Sequence, residues 1–172
     1  MINYKITKLN SKQIKNALLH YWRFNRAYCC CTELTTGCPN STIGACNICD
    51  VAAYDFKDSF IDCEIKISKS DLISDSKKQK HYAYKNNPKI YNGCLPNKFM
   101  YVVPDVLSDD AIAQCELINP NYGVMVFFNG GYNVMIRTAK KLYSGVNKEN
   151  TKKIIIKRLN SEVISLRKKL YI

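Results

Sequence analysis

The sequence contains no apolar run near the roughly eighteen residues of a bilayer crossing, so no transmembrane helix is expected. Its opening, MINYKITKLNSKQIKN, lacks the continuous apolar stretch of a secretory signal. Without export, nine cysteines do not read as a disulfide scaffold, and metal ligation or burial as thiols suits them better. No glycine-rich loop is present to cradle phosphates, which removes nucleotide hydrolysis as a function. Two histidines, His20 and His81, form no Ser-His-Asp or Cys-His arrangement: His20 borders a helical apolar stripe, and His81 reads as a surface helix residue. No internal repeat is visible. Acidic residues are few, 14 against 26 Lys and Arg, and the resulting +12 suits an acidic polymer as partner, with a merely solvated basic surface as the equal alternative.

What is present suits one domain. At 172 residues the chain can bury a sizeable core, and its 47% hydrophobic and 23% charged content are ordinary for a globular protein. The expected layout is a single unit, 1–172, with a core at about 9–137 and a basic helix at about 147–172. Cytoplasmic location is expected. Abundant Lys, Asn, Ile and Tyr point to an AT-rich coding sequence, so the cytoplasm could be that of a phage host.

The chemistry concentrates in DVAAYDFKDSFIDCEIK, Asp50 to Lys66. This stretch predicts two strands joined by a turn at 55–59. With a side-chain period of two, Ile61, Cys63, Ile65 and Ile67 face one way and Asp62, Glu64, Lys66 and Ser68 the other. Glu64 and, across the hairpin, Asp50 can share a divalent cation through oxygen, as magnesium prefers. Lys66, two residues beyond Glu64, can hold a phosphate oxygen or an attacking water.

Asp50, thirteen intervening residues and then Glu64-x-Lys66 resemble the core of the PD-(D/E)XK nuclease superfamily. The continuation EIKISKSDLISDSKKQKHY and the later KFMYVVPD resemble its MmcB-like DNA-repair branch, and the likeness spans Glu33 to Phe128. The resemblance implies a restriction-endonuclease-like α/β fold, a mixed central sheet flanked by helices, and hydrolysis of DNA with Mg2+ or Mn2+. It implies that Asp50, Glu64 and the Ile65 carbonyl hold metal and that Lys66 acts on water and phosphate. Glu33 takes the place of an additional upstream Glu, and Asp71, Asp75 and Tyr82 match supporting positions. The Cys-rich segment, Leu72 in place of an aromatic, and the basic C-terminal helix depart from the pattern.

Around this centre, residues 9–26 predict a first helix capped by Ser11, and 28–35 a strand. Gly37 to Cys49 reads as a loop with the spacing C-x7-C-x2-C at Cys38, Cys46 and Cys49, which fits a zinc knuckle. The fourth ligand is open between Cys29, Cys30, Cys31 and Cys94, and an iron–sulfur cluster is the other metal reading. Ser70 to Asn86 predicts one helix whose Lys77, Lys78, Lys80 and Lys85 form a basic face for nucleic acid. Strands at 98–103, 123–128 and 132–137 and a helix at 109–118 follow. In the last helix Ile156, Leu159, Val163, Leu166 and Leu170 make a short heptad seam, for packing on the domain or for pairing two copies. Metal-dependent cleavage of DNA is thus the leading expectation. Its rivals are a non-catalytic nucleic-acid-binding module and a zinc-stabilised interaction protein.

Overall fold

The computed structural model describes residues 10–36, 47–86, 95–129 and 131–170. Helix α1 (Ser11–His20) starts with a reciprocal pair of bonds. The Asn10 side chain accepts from the Gln13 N–H at 3.0 Å, and the Gln13 side chain accepts from the Asn10 N–H at 3.0 Å. Asn10 rather than Ser11 is therefore the cap, because its partner three residues on completes a capping box. The helix widens into a π-helical turn at Tyr21–Asn25.

Six strands follow: β1 (Cys29–Thr36), β2 (Asn47–Tyr54), β3 (Phe60–Ile65), β4 (Lys98–Pro104), β5 (Gly123–Phe127) and β6 (Asn133–Arg137). They form one mixed sheet in sequence order. The β1–β2, β2–β3 and β5–β6 pairs are antiparallel, whereas β3–β4 and β4–β5 are parallel. Parallel neighbours require crossovers. The first is α2 (Lys69–Ser74), a tight turn at Asp75–Lys77 and α3 (Gln79–Asn86); the second contains α4 (Ser108–Ile118). The long helix α5 (Lys148–Leu170) ends the described chain. The architecture is α/β, with helices on both sheet faces, and among the described residues no helix is long and apolar enough to cross a membrane.

The period-two pattern of β3 assigns its faces. Ile61, Cys63 and Ile65 join Val51, Ala53 and Met100 under Ile14 and Leu18 of α1 and Trp22 of the π-helical turn. On the other face, Phe99, Tyr101, Val103 and Val124 pack under Leu72, Ala83 and Tyr84 of the first crossover and Ala111 and Cys115 of α4. A third cluster, with Cys31, Leu34, Cys49, Ala52, Tyr54 and Phe60, lies under Val146 and Ile155.

One irregularity positions the site. In the β1–β2 register Thr32 opposes Val51 and Leu34 opposes Cys49, but Glu33 and Asp50 between them are not a ladder pair. Glu33 has φ +47, the left-handed region that an L side chain rarely adopts. The kink breaks the alternation, so Cys31 and Leu34, three residues apart, share one cluster, as do Cys49 and Ala52. Asp50 is thereby aimed at the end of β3.

Candidate active site

The Asp50 carboxylate meets the last residue of β3: its Oδ2 accepts from the Ile65 N–H at 2.9 Å. Lys15 of α1 reaches down beside it, 3.5 Å from Asp50 Oδ1, and also pairs with Glu33. The kinked pair of strands and the first helix therefore gather Glu33, Asp50 and Lys15. Burial, and next the charge of Glu64, raise the Asp50 carboxyl above its ordinary value, while the Ile65 N–H and Lys15 oppose them.

Glu64 and Lys66 lie one layer further in. Glu64 is buried, and Lys66 Nζ donates to its Oε1 at 2.9 Å. Lys78 pairs with the same oxygen and Lys80 with Oε2. Lys66 also contacts Asp71 at 3.3 Å and Asp75 at 2.8 Å, and Lys80 lies 3.2 Å from Asp62. Burial alone would lower both buried lysines. The charge of Glu64, followed by Asp75, holds Lys66 above its ordinary value, and Asp62 and Glu64 do so for Lys80. Burial likewise works against the Glu64 and Asp75 carboxylates, yet both are held below theirs, Glu64 chiefly by Lys80 and Asp75 by its bond to His81 and the Lys80 charge.

A ring of aromatic hydroxyls backs this network. Tyr84 donates to Asp62 Oδ2 and Tyr101 to Asp75 Oδ2, each at 2.9 Å. His81 bridges Asp75 Oδ2 and the Tyr122 hydroxyl, 2.9 Å from each.

Several expectations are corrected. Lys80 is no part of a basic helix face, because it is only 3% exposed and spends its charge on Asp62 and Glu64. Lys77 and Lys85 are exposed, and the half-exposed Lys78 folds toward Glu64. His81 is buried, not on the surface. Tyr82 points to solvent at 65% exposure and touches none of the site carboxylates, whereas Asp71 and Asp75 support Lys66 directly. The physical reason is the break at Asp75–Lys77: three residues of tighter turn rotate α3 relative to α2, so positions counted along one continuous helix land on different faces. Lys15, Asp62, Tyr84, Tyr101 and Tyr122 went unassigned. Asp62 alone had a signal, its shared strand face with Glu64.

The cysteines divide. β2 begins at Asn47, so Cys49 is a strand residue, and with Cys31 it points into the apolar cluster beneath α5. Burial pushes the Cys31 thiol up to about 12 and Cys49 well above its usual value. Neither has the exposed, thiolate-favouring surroundings of a knuckle turn. Cys38, Cys46 and Cys94 lie outside the described residues.

Around this site the ion-paired carboxylates are Glu33, Asp50, Asp62, Glu64, Asp71 and Asp75, and the ammoniums that pair with them are Lys15, Lys66, Lys78 and Lys80. No three His, Cys, Asp or Glu side chains among the described residues gather at metal-binding separation. A cation here would have two carboxylates, a peptide carbonyl and water, and magnesium, which keeps several waters, accepts such a set.

No family model matches the sequence, and comparison with curated proteins gives no match. Among solved structures, the chain is similar to SPO1766, a protein of unknown function from Silicibacter pomeroyi. The TM-score is 0.58 and the identity 15%, over 95% of this chain and 92% of that one. At that identity the likeness shows the fold alone, and it runs through nearly the whole chain.

Proposed function

We propose that the protein is a metal-dependent nuclease of the PD-(D/E)XK type, with a restriction-endonuclease-like fold, that hydrolyses phosphodiester bonds in DNA. The observation that carries this reading is the meeting of the Asp50 carboxylate with the Ile65 peptide. It brings the acid of one strand to the end of the strand bearing Glu64, with Lys66 following directly. The raised Asp50 carboxyl supports it as well: burial is the larger cause and the Glu64 charge the next, and a cation held by both carboxylates would relieve each.

In this proposal Asp50, Glu64 and the Ile65 carbonyl hold Mg2+ or Mn2+, which when bound polarises the phosphate and activates water. Lys66, kept protonated by Glu64, Asp71 and Asp75, donates hydrogen bonds and offsets charge as it grows on the phosphate; it is not a base. Lys78, half exposed at the mouth, is the ammonium that first meets an incoming phosphate. Asp75 orients Lys66 and is itself fixed by His81 and Tyr101.

The test is cleavage of a panel of labelled DNA and RNA structures with magnesium, manganese or chelator. Asp50→Asn and Glu64→Gln are expected to lose metal affinity and cleavage together. Lys66→Ala should keep most metal affinity and lose about 100-fold or more in rate, the scale of one electrostatic donor. Undiminished cleavage by Glu64→Gln sinks the proposal. A second reading, a nucleic-acid-binding module without catalysis, draws on the three lysines that occupy Glu64. Tight DNA binding with no cleavage under any metal would favour it.

A further inference from the structure

With Lys80 withdrawn into the ion network, a nucleic-acid track has to be sought elsewhere. An open groove of about 270 Å³ runs between the edge strand β1 and helix α5, lined by Glu33, Leu34, Ile154, Lys157, Arg158 and Ser161. It begins at the candidate active site, because Glu33 shares Lys15 with Asp50. The carboxylate at its mouth is thus already paired, and the cations beyond it set the sign of the groove.

Arg158 is held rigidly: its Nε donates to the Thr32 carbonyl at 2.7 Å and lies 3.3 Å from Glu162 Oε1. Glu162 in turn accepts from the Thr32 N–H and hydroxyl, which clamps α5 to β1 and fixes the groove's width. Lys157 and Ser161 are exposed. Continued along the helix, the same row takes in Ile164 and Lys168, also exposed. From Lys157 to Lys168 the row is about 16 Å long, at about 1.5 Å per residue.

We infer that this groove binds one single strand of nucleic acid, with phosphates on Lys157 and Lys168 and base faces against Ile154 and Ile164. Its volume lies just below the roughly 300 Å³ at which small-molecule sites begin. A volume of about 270 Å³ between one edge strand and one helix takes part of a single strand, not the full width of a duplex. The occupant is a polyanion because the free charged side chain of the wall, Lys157, and its continuation, Lys168, are cations on a chain of net charge +12. The apolar Ile154 and Ile164 beside them suit the faces of unstacked bases better than a bare anionic peptide. The inference deepens the nuclease proposal and rests on it for the direction of the strand, toward Glu33.

The test is the binding of a short labelled oligothymidylate, and of the same length as duplex, to the full chain in chelator over a range of salt. Lys157→Ala should weaken single-strand binding about two- to fivefold, the scale of an exposed ion pair. It should also reduce the salt slope by about 0.7, one phosphate contact on a single strand. Lys157→Glu should weaken binding further, and Lys57→Ala, on the β2–β3 turn, should change nothing. Single-strand affinity indifferent to Lys157→Glu overturns the inference, as does a duplex held equally tightly with equal dependence on Lys157. Cleavage is scored separately with magnesium. Lys157-dependent binding by a wild type that cleaves nothing keeps the groove and rejects the nuclease. Cleavage lost in Glu64→Gln, with binding indifferent to Lys157, does the reverse.

Discussion

Lys80 and Lys77 stand three residues apart in a run of lysines, yet they have opposite physical roles. Lys77 is solvated, and its replacement should change stability by no more than about 0.5 kcal/mol. Lys80→Met strips the buried Asp62 and Glu64 carboxylates of a partner, and removing one member of a buried pair costs about 3–5 kcal/mol. Urea denaturation of the two variants should separate them by that margin, and equal midpoints would show that the network contributes nothing net. Asp50 behaves differently. Its folded carboxyl is raised, so the ionised form costs stability: the cost is absent below the unfolded value and appears as pH rises through the folded one. Asp50→Asn retains an acceptor for the Ile65 N–H and loses the repulsion from Glu64. The metal-free variant should therefore melt higher than wild type at neutral pH, by up to about 2–4 °C, the equivalent of 1 kcal/mol for a chain of this size. In acid the two should converge, and a lower melting temperature at neutral pH would contradict the account.

At the scale of elements, most of the fold was legible. Strands expected at 98–103 and 123–128 are found at Lys98–Pro104 and Gly123–Phe127, and the last helix, expected from 147, runs Lys148–Leu170. These segments combine strong periodicity with clear stops, Pro104 and Asn129 among them. The breaks were not legible. Nothing in SKSDLISDSKKQKHYAYKN marks Asp75 as the corner between two helices; what holds it there is tertiary, the convergence of Lys66, His81 and Tyr101 on one carboxylate. The seam of α5 is a similar case. Thr151 and Ile155, beside the heptad positions, are what the domain buries, and Ile156, Val163, Leu166 and Leu170 stay exposed. If that seam pairs two copies, sedimentation velocity should show a dimer that Leu166→Glu dissociates; a wild-type monomer at high concentration would end that expectation. A sharper test of packing lies at Gly123, where β5 begins. A Cβ added there would come within 2.7 Å of the Ala139 nitrogen and 2.9 Å of the Arg137 carbonyl oxygen, both backbone atoms. Gly123→Ala should destabilise by about 1–3 kcal/mol, the cost of overpacking, and a neutral result would mean that the chain after β6 moves freely away.

For the whole molecule, the ion network makes a statement about pH. Glu64 and Asp75 are depressed below 4.5 and 3.8, so their contribution is present above those values and lost as pH falls through the folded ones. Lys66 and Lys80 are raised above 10.5, so theirs is present below that value and lost as pH rises through the folded ones. Stability from these four groups should therefore be flat between about pH 5 and 10 and fall on either side, while Asp62, which burial raises, opposes them as pH rises through its folded value. Urea midpoints across pH test this, with Asp75→Asn expected to lower the plateau and to blunt the acid limb. A midpoint that climbs steadily through neutral pH would place the stabilising charges elsewhere. The sequence by itself determined the α/β class, the succession of strands and helices, the face that Glu64 and Lys66 share, and the basic balance, because periodicity and composition are local properties. Only the tertiary structure decided which lysines are spent inside, that His81 is buried, that Glu33 and Asp50 meet over Lys15 at a left-handed kink, and that Cys31 and Cys49 turn into an apolar cluster. Each of these depends on partners distant in sequence, and a buried charge is stable only where such a partner has been brought to it.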